Sequence, residues 1–265
     1  MKLWLVYDKF EAERNRRYID FYFEKCHNKN IDLTLVIVDD GVDFNHLPDV
    51  AIVRTMNPDL SEQLEKLGVK VYNSSFISRT ANDKWNTYCY LKQKGIRLPE
   101  TFLVTDSFTP PYYPMVLKPC MGKGGRCVEI INNYAEFASY KERVGEKTIA
   151  QKVVSDKGRD LRVYVVGNKI IKAMLRVSDT DFRSNFCLGG KALEYDLSDW
   201  EKSEIQKVIN QFDIAYAGLD FIFDDGKIIF NEMEDVVGAR MLYTHTDIDI
   251  VEIYLNFIIS HTVLT

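Results

Sequence analysis

Three carboxylates near the C-terminal end, Asp220, Glu232 and Glu234, have a spacing suited to a divalent cation. Residues 219–223 and 227–233 alternate like two antiparallel strands, with Asp224-Asp225-Gly226 between them as the turn. If all three turn residues form the loop and Gly226 is left-handed, Phe223 faces Lys227 and Asp220 faces Phe230. Side chains alternate along a strand, so Asp220, Glu232 and Glu234 then share one face. Leu219, Phe221, Phe223, Ile229 and Met233 make up the other, apolar face. Like charges on one face repel unless a cation lies between them. Magnesium, with manganese as a substitute, is suited to two or three carboxylates plus phosphate oxygens. An exposed acidic edge is the alternative, and a two-residue loop would break the alignment.

Residues 118–126 read Lys-Pro-Cys-Met-Gly-Lys-Gly-Gly-Arg. Glycines let the backbone approach an anion, and Lys118 and Lys123 add positive charge. No Lys-Ser or Lys-Thr follows the glycines, so this is not the phosphate loop of the Walker type. Lys118 ends an apolar strand, where a solvated lysine is out of place unless it snorkels. Arg162, Arg176 and Arg183 could converge on a polyanion, since guanidinium forks match phosphate and carboxylate; surface ion pairing is the alternative. Arg240 falls in the loop expected after the carboxylates, available to an anionic substrate or to a neighbouring acid.

Other chemistries are disfavoured. Cys26, Cys89, Cys120, Cys127 and Cys187 form no C-x-x-C pair, and no His or Cys lies at zinc-ligand spacing. Cys120 and Cys127 read as small packing residues rather than nucleophiles. The net charge of −5 with dispersed Lys and Arg does not suggest a nucleic-acid partner. No apolar run reaches membrane-spanning length and no signal peptide precedes the first strand, so a soluble, cytoplasmic protein with reduced thiols is expected.

The elements that must position these groups follow from periodicity in a chain that is 46% apolar and 28% charged, an ordinary globular balance. Residues 2–7, 33–38, 50–53 and 69–72 read as strands that alternate with helices over 11–29 and 58–68, a small parallel α/β layer. A helix near 80–94 follows, then strands at 101–104, 115–118 and 127–131 and a helix over 134–144. Antiparallel hairpins dominate thereafter: 161–166 with 169–177 around Gly167-Asn168, and the acidic hairpin already described. Helices near 199–211 and 248–260 complete an α+β second half. The expected division is 1–77, then 78–265 in two parts, 78–148 and 149–265.

The order of these motifs resembles the ATP-grasp superfamily, in particular the RimK-like carboxylate–amine ligases, from about Arg54 to Thr244. Asn73-Ser74 with residues 81–84, and residues 95–101 (Gly-Ile-Arg-Leu-Pro-Glu-Thr), are similar to that family's entry into its ATP-binding part. So are residues 116–125, 151–153, 158–162 and 181–190 to its later segments. The resemblance implies an ATP-grasp fold with a small N-terminal parallel α/β layer. It implies that Lys84 and Lys118 contact ATP phosphates beneath a loop containing Gly122, Gly124 and Gly125. Gln151, Lys152 and Val153 would read the adenine, Asp160 would face the ribose side, and Arg183 would also meet the nucleotide. Arg162, Arg183 and Asn185 are the expected catalytic residues, and Asp220, Glu232 and Glu234 the metal ligands. Glu234 stands where the family usually has Asn, and residues 235–238 (Asp-Val-Val-Gly) replace an S-P-G type loop.

The expected function is therefore an ATP- and magnesium-dependent ligase that joins a small-molecule or peptide carboxylate to an amine acceptor through an acyl phosphate. A small-molecule kinase on the same fold and a noncatalytic nucleotide-binding module are the alternatives.

Overall fold

A computed structural model of the chain describes residues 1–122, 124–178 and 191–262. Lys2–Tyr7 (β1) is apolar and buried from Leu3 onward, so it needs cover on both faces. Asp32–Ile37 (β2), Val50–Val53 (β3) and Lys70–Tyr72 (β4) lie parallel to it in the order β2-β1-β3-β4. The helix expected over 11–29 is two helices, Lys9–Arg14 (α1) and Arg16–Asn28 (α2), with Asn15 closing one and opening the other. Pro58–Lys66 (α3) begins as its sequence suggests: Asn57 caps it by accepting from the Leu60 amide, and Pro58 fills the position that needs no donor.

Ser75–Ala81 (α4) and Lys84–Gln93 (α5) replace the single helix expected near 80–94. Asp83 accepts from the Trp85 and Asn86 amides, and this cap restarts the chain at Lys84. The second sheet is antiparallel and contains Thr101–Val104 (β5), Met115–Pro119 (β6), Glu129–Ile131 (β7) and Thr148–Lys152 (β8), in the order β5-β8-β6-β7. Tyr134–Val144 (α6) packs Phe137 and Tyr140 onto it. β8 straddles residues 148 and 149 and stays within this sheet.

The third sheet contains Asp156–Val166 (β9), Lys169–Val177 (β10), Lys191–Tyr195 (β11), Tyr216–Asp224 (β12) and Lys227–Glu234 (β13). Its order is β11-β10-β9-β12-β13, all antiparallel. Asp199–Ile209 (α7) covers one face with Ile205 and Val208, packed against Val163, Leu219 and Phe221. Arg240–His245 (α8) and Ile250–Thr262 (α9) lie toward the other face, where Tyr254 and Leu255 share a core with Tyr164, Tyr216 and the N-terminal layer. Arg240 thus opens a helix rather than standing in a loop. Among the described residues no helix is long and apolar enough to cross a membrane.

Asn73 stitches the N-terminal layer to this sheet. Its Nδ2 donates to the Tyr216 carbonyl at 2.6 Å, and its Oδ1 accepts from the Ala215 and Tyr216 amides at 2.9 and 3.1 Å. All of these groups are buried, and a buried polar group left unpaired costs about 1–3 kcal/mol. Asn73→Ala should therefore lower unfolding stability by at least about 2 kcal/mol in urea titration. A loss under about 0.5 kcal/mol, the scale of a surface change, would mean that the junction does not rely on these bonds.

Candidate active site

The acidic hairpin is built differently from its expected register. Asp225 and Gly226 have φ of 50° and 71°, so the turn has two residues and Asp224 pairs with Lys227. An Asp-Gly pair with two positive φ values is the favoured tight hairpin turn. That register puts Ile228 and Phe230 on the core face with Phe221 and Phe223, and Ile229 off it. Carried on unchanged, it would set Asp220 opposite Asn231 and turn Glu232 away from it. A β-bulge between Asp220 and Phe221 absorbs one residue of β13, and Asp220 pairs with Glu232 instead. The bulge aims both Asn231 and Glu232 into the cleft. One ligand oxygen from each of Asp220, Glu232 and Glu234 then lies within 4.8 Å of the others.

A guanidinium already lies among these carboxylates. Arg162 on β9 donates from Nε and Nη2 to Asp220 at 2.5 and 2.6 Å, and from Nη1 and Nη2 to Glu234 at 2.9 and 2.8 Å. Arg176 on β10 donates to both oxygens of Asp160 at 2.5 and 2.8 Å, and to Asp220 at 2.9 Å. Burial opposes ionisation of Asp220, but Arg162 and Arg176 outweigh it and hold the carboxyl down at about 2. Arg162 and Arg176 thus converge on internal carboxylates, and neither is a solvated surface ion pair.

Lys118, at 5% exposure, reaches across from β6 and donates to Asn231 Oδ1 at 2.8 Å. Burial pushes its ammonium down to about 8, against the attraction of Glu232. Lys84 donates to the Gly122 carbonyl at 3.0 Å and lies 3.4 Å from Glu232. The lysines come from adjoining elements, since the Lys84 amide donates to the Cys120 carbonyl just past β6 at 2.9 Å. Lys84 is the first residue of α5 behind the Asp83 cap, and Lys118 ends a buried strand.

The cleft encloses about 960 Å³, counting the part open to solvent. Lys84, Lys118, Gly122, Gly124, Gly125, Gln151, Lys152, Val153, Asp160 and Glu232 all line it. Asp220 and Glu234 lie behind, against Arg162. Arg183, Asn185 and Lys123 lie outside the described residues. Val116, Ile130, Val154 and Ile222 give one part of the lining an apolar character suited to a flat base. Of these cleft residues, the sequence reading missed Asn231, Ile130, Val154 and Ile222. Strand alternation alone turns Asn231 away from Glu232, and only the bulge brings the two together. Burial pushes the Cys120 thiol up to about 11, so it is protonated near neutrality and a poor nucleophile.

This combination of sheets and cleft can be compared with known proteins. The RimK-like ATP-grasp domain family matches residues 81–258. The chain belongs to the RimK-like ATP-grasp family. This member is 26% identical over 246 residues to the uncharacterized protein MG011 homolog of Mycoplasma pneumoniae, covering 91% of this chain and 86% of that one. It is 26% identical over 229 residues to the glutamate–LysW ligase ArgX of Sulfolobus acidocaldarius, covering 79% and 81%. With N-acetylaspartylglutamate synthase A of Homo sapiens it shares 26% over 274 residues, covering 89% and 70%. The fold superposes on D-alanine–D-alanine ligase of Bacillus anthracis, solved with ATP, at a TM-score of 0.78, covering 100% and 98% at 16% identity. That likeness establishes an ATP-grasp fold: mixed sheets and helices, with a parallel N-terminal sheet and two antiparallel ones.

The hard oxygen donors of Asp220, Glu232 and Glu234 fit a magnesium-type cation. Around them Asp160, Asp220, Glu232 and Glu234 face Lys84, Lys118, Arg162 and Arg176, charge for charge. Arg126, Lys152, Lys157 and Arg159, against Asp156, also line the cleft, so it has little reason to hold a bare cation until added phosphates offset this positive charge. Magnesium should therefore bind weakly alone and tightly beside a nonhydrolysable ATP analogue, and Glu232→Ala should remove the tight component. Calorimetric titration checks this, and tight magnesium binding without nucleotide would contradict it. Lys118 gives a second expectation. Phosphate favours its charged form, so nucleotide binding near pH 8 should take up a proton, and affinity should fall as pH rises through about 8. Calorimetry in buffers of different ionisation enthalpy reads both; a flat profile without proton uptake would remove Lys118 from the phosphates.

Proposed function

We propose that this RimK-like ATP-grasp protein is an ATP-dependent ligase that joins a carboxylate to an amine through an acyl phosphate. One observation carries the reading: two lysines, a glycine-rich loop and Glu232 face one cleft, backed by Asp220 and Glu234. The names of its relatives, a glutamate–LysW ligase and an N-acetylaspartylglutamate synthase, support the class. On this reading residues 78–265 handle the nucleotide, with β8 kept in the first part, and residues 1–77 close the substrate side. ATP consumption also favours the cytoplasmic setting expected from the sequence.

Glu232, Asp220 and Glu234 would hold magnesium, which when bound supplies Lewis-acid neutralisation of phosphate charge. Lys84 and Lys118, side by side in the cleft lining, hold phosphate oxygens, so charge developing on the transferred group meets fixed positive charge. Arg162 acts through the carboxylates it grips, keeping Asp220 ionised and Glu234 in place. Arg183 and Asn185, on the family resemblance, add contacts to the phosphoryl group. A substrate carboxylate oxygen bonds to the γ-phosphorus, the bond to the β–γ bridging oxygen breaks, and ADP leaves. The amine nitrogen then bonds to the acyl carbon, loses a proton, and inorganic phosphate departs. The segment with Gly122, Gly124 and Gly125 covers the cleft and limits access of water to the acyl phosphate.

The mechanism is checked with oxygen-18 in the substrate carboxylate, once product analysis of cell extract with ATP has identified the acid. One labelled oxygen should appear in the released phosphate, with ADP as the nucleotide product. Amide formation with unlabelled phosphate and AMP would replace this route with an adenylating one.

A further inference from the structure

Arg54 follows β3 and is buried, at 5% exposure. Its Nε donates to the Tyr7 hydroxyl at 2.7 Å and its Nη2 to the Val237 carbonyl at 2.8 Å. Its guanidinium carbon lies 5.1 Å from the ring centre of Tyr18 and 5.8 Å from that of Tyr7. Among the described residues it forms no ion pair with a carboxylate. Burying a charge without a paired counter-charge is costly; relief from an acid comes only at a distance, from the buried Asp235 carboxyl, which burial pushes up to about 6 and Arg54 pulls back down. The return lies in what the guanidinium grips: the loop over residues 235–238, which leaves β13 directly after Glu232 and Glu234.

That loop is pressed from the other side as well. A Cβ on Gly218 would lie 2.6 Å from Val237 Cγ2 and 3.1 Å from Arg162 Cδ, so only glycine lets β12 approach it. Asp235, in the same loop, is buried with Oδ1 lacking a partner, a cost that the Arg54 bond helps to offset. Beside the nucleotide cleft lies a second, smaller one of about 390 Å³, counting its open part. It shares Lys84 and Glu232 with the first, and Met56 and Val236 are apolar residues of its lining. Met56 comes two residues after Arg54, and Val236 one residue before the carbonyl that Arg54 holds. One guanidinium thus ties together the two segments that carry these residues.

We propose that Arg54 is a positioning residue that sets the gap between Met56 and Val236, and that this gap admits only a compact side chain on the substrate joined beside Glu232. The inference rests on the ligase reading above. Lysine cannot reproduce the two-directional fork, so Arg54→Lys keeps the charge but loosens the loop.

The test measures ADP release from ATP and magnesium with pairs drawn from the twenty amino acids, for wild type, Arg54→Lys and Met56→Ala. Arg54→Lys should raise the KM of the amino acid at least about tenfold, with affinity for a nonhydrolysable ATP analogue unchanged. Met56→Ala should raise kcat/KM for larger side chains relative to smaller ones. A purely structural role would lower thermal stability without moving that ratio. Unchanged KM and selectivity in both variants would overturn the inference. If wild type releases ADP with no pair, either a substrate lies outside this panel or the ligase reading fails, and selectivity is not read. Amide hydrogen exchange over 235–238 then decides for Arg54: faster exchange in Arg54→Lys supports its positioning role, and an unchanged rate overturns it.

Discussion

Three carboxylates and two guanidinium groups interlock at the floor of this cleft, and most of the C-terminal sheet is arranged around them. Arg162 holds Asp220 and Glu234, while Arg176 holds Asp160 and reaches Asp220. Taking such charges out of water costs several kcal/mol per ion, recovered only when each lone pair and N–H is matched. The network meets that demand by using adjacent strands: β10, β9 and β12 lie side by side, so Arg176 faces Asp160 and Arg162 faces Asp220 across single ladder steps. Removing any member would strand a charge, which ties the geometry of the metal-type carboxylates to the integrity of the sheet itself.

The same sheet must bury a large apolar face, and the two requirements conflict on β13. Ile228 and Phe230 belong to the core near the turn, and Met233 belongs to it further along. These residues do not keep one parity, so a regular strand cannot bury all of them. The bulge resolves the conflict by spending one residue, Asn231, which enters the cleft and receives Lys118. Core packing and site construction are thus one event in this hairpin.

The N-terminal layer contributes through polar joins rather than through ligands. Asn73 ties the end of β4 to β12, and Arg54 ties the end of β3 to the loop after β13. Both lie where parallel strands end, and both bond to backbone groups. Backbone partners do not depend on side-chain rotamers, so these joins set the spacing between layers more firmly than surface ion pairs would.

Much of this was legible in residue order. Apolar runs named the strands of the first layer, Gly167-Asn168 named a tight turn, and the lysine and glycine types named residues that line the cleft. These signals are local, because each depends on a few neighbouring residues and on the period of the backbone. Asp224-Asp225-Gly226 was ambiguous for the same reason: two loop lengths suit it locally, and only pairing along the whole hairpin selects Asp225-Gly226. The break between α4 and α5 was written in Asp83, a capping residue whose meaning depends on which amides reach it. The bulge at Asn231, the partners of Arg162 and the burial of Arg54 were beyond local pattern. Each is decided by what lies on a strand or loop far away in sequence, through packing and desolvation that no short window contains.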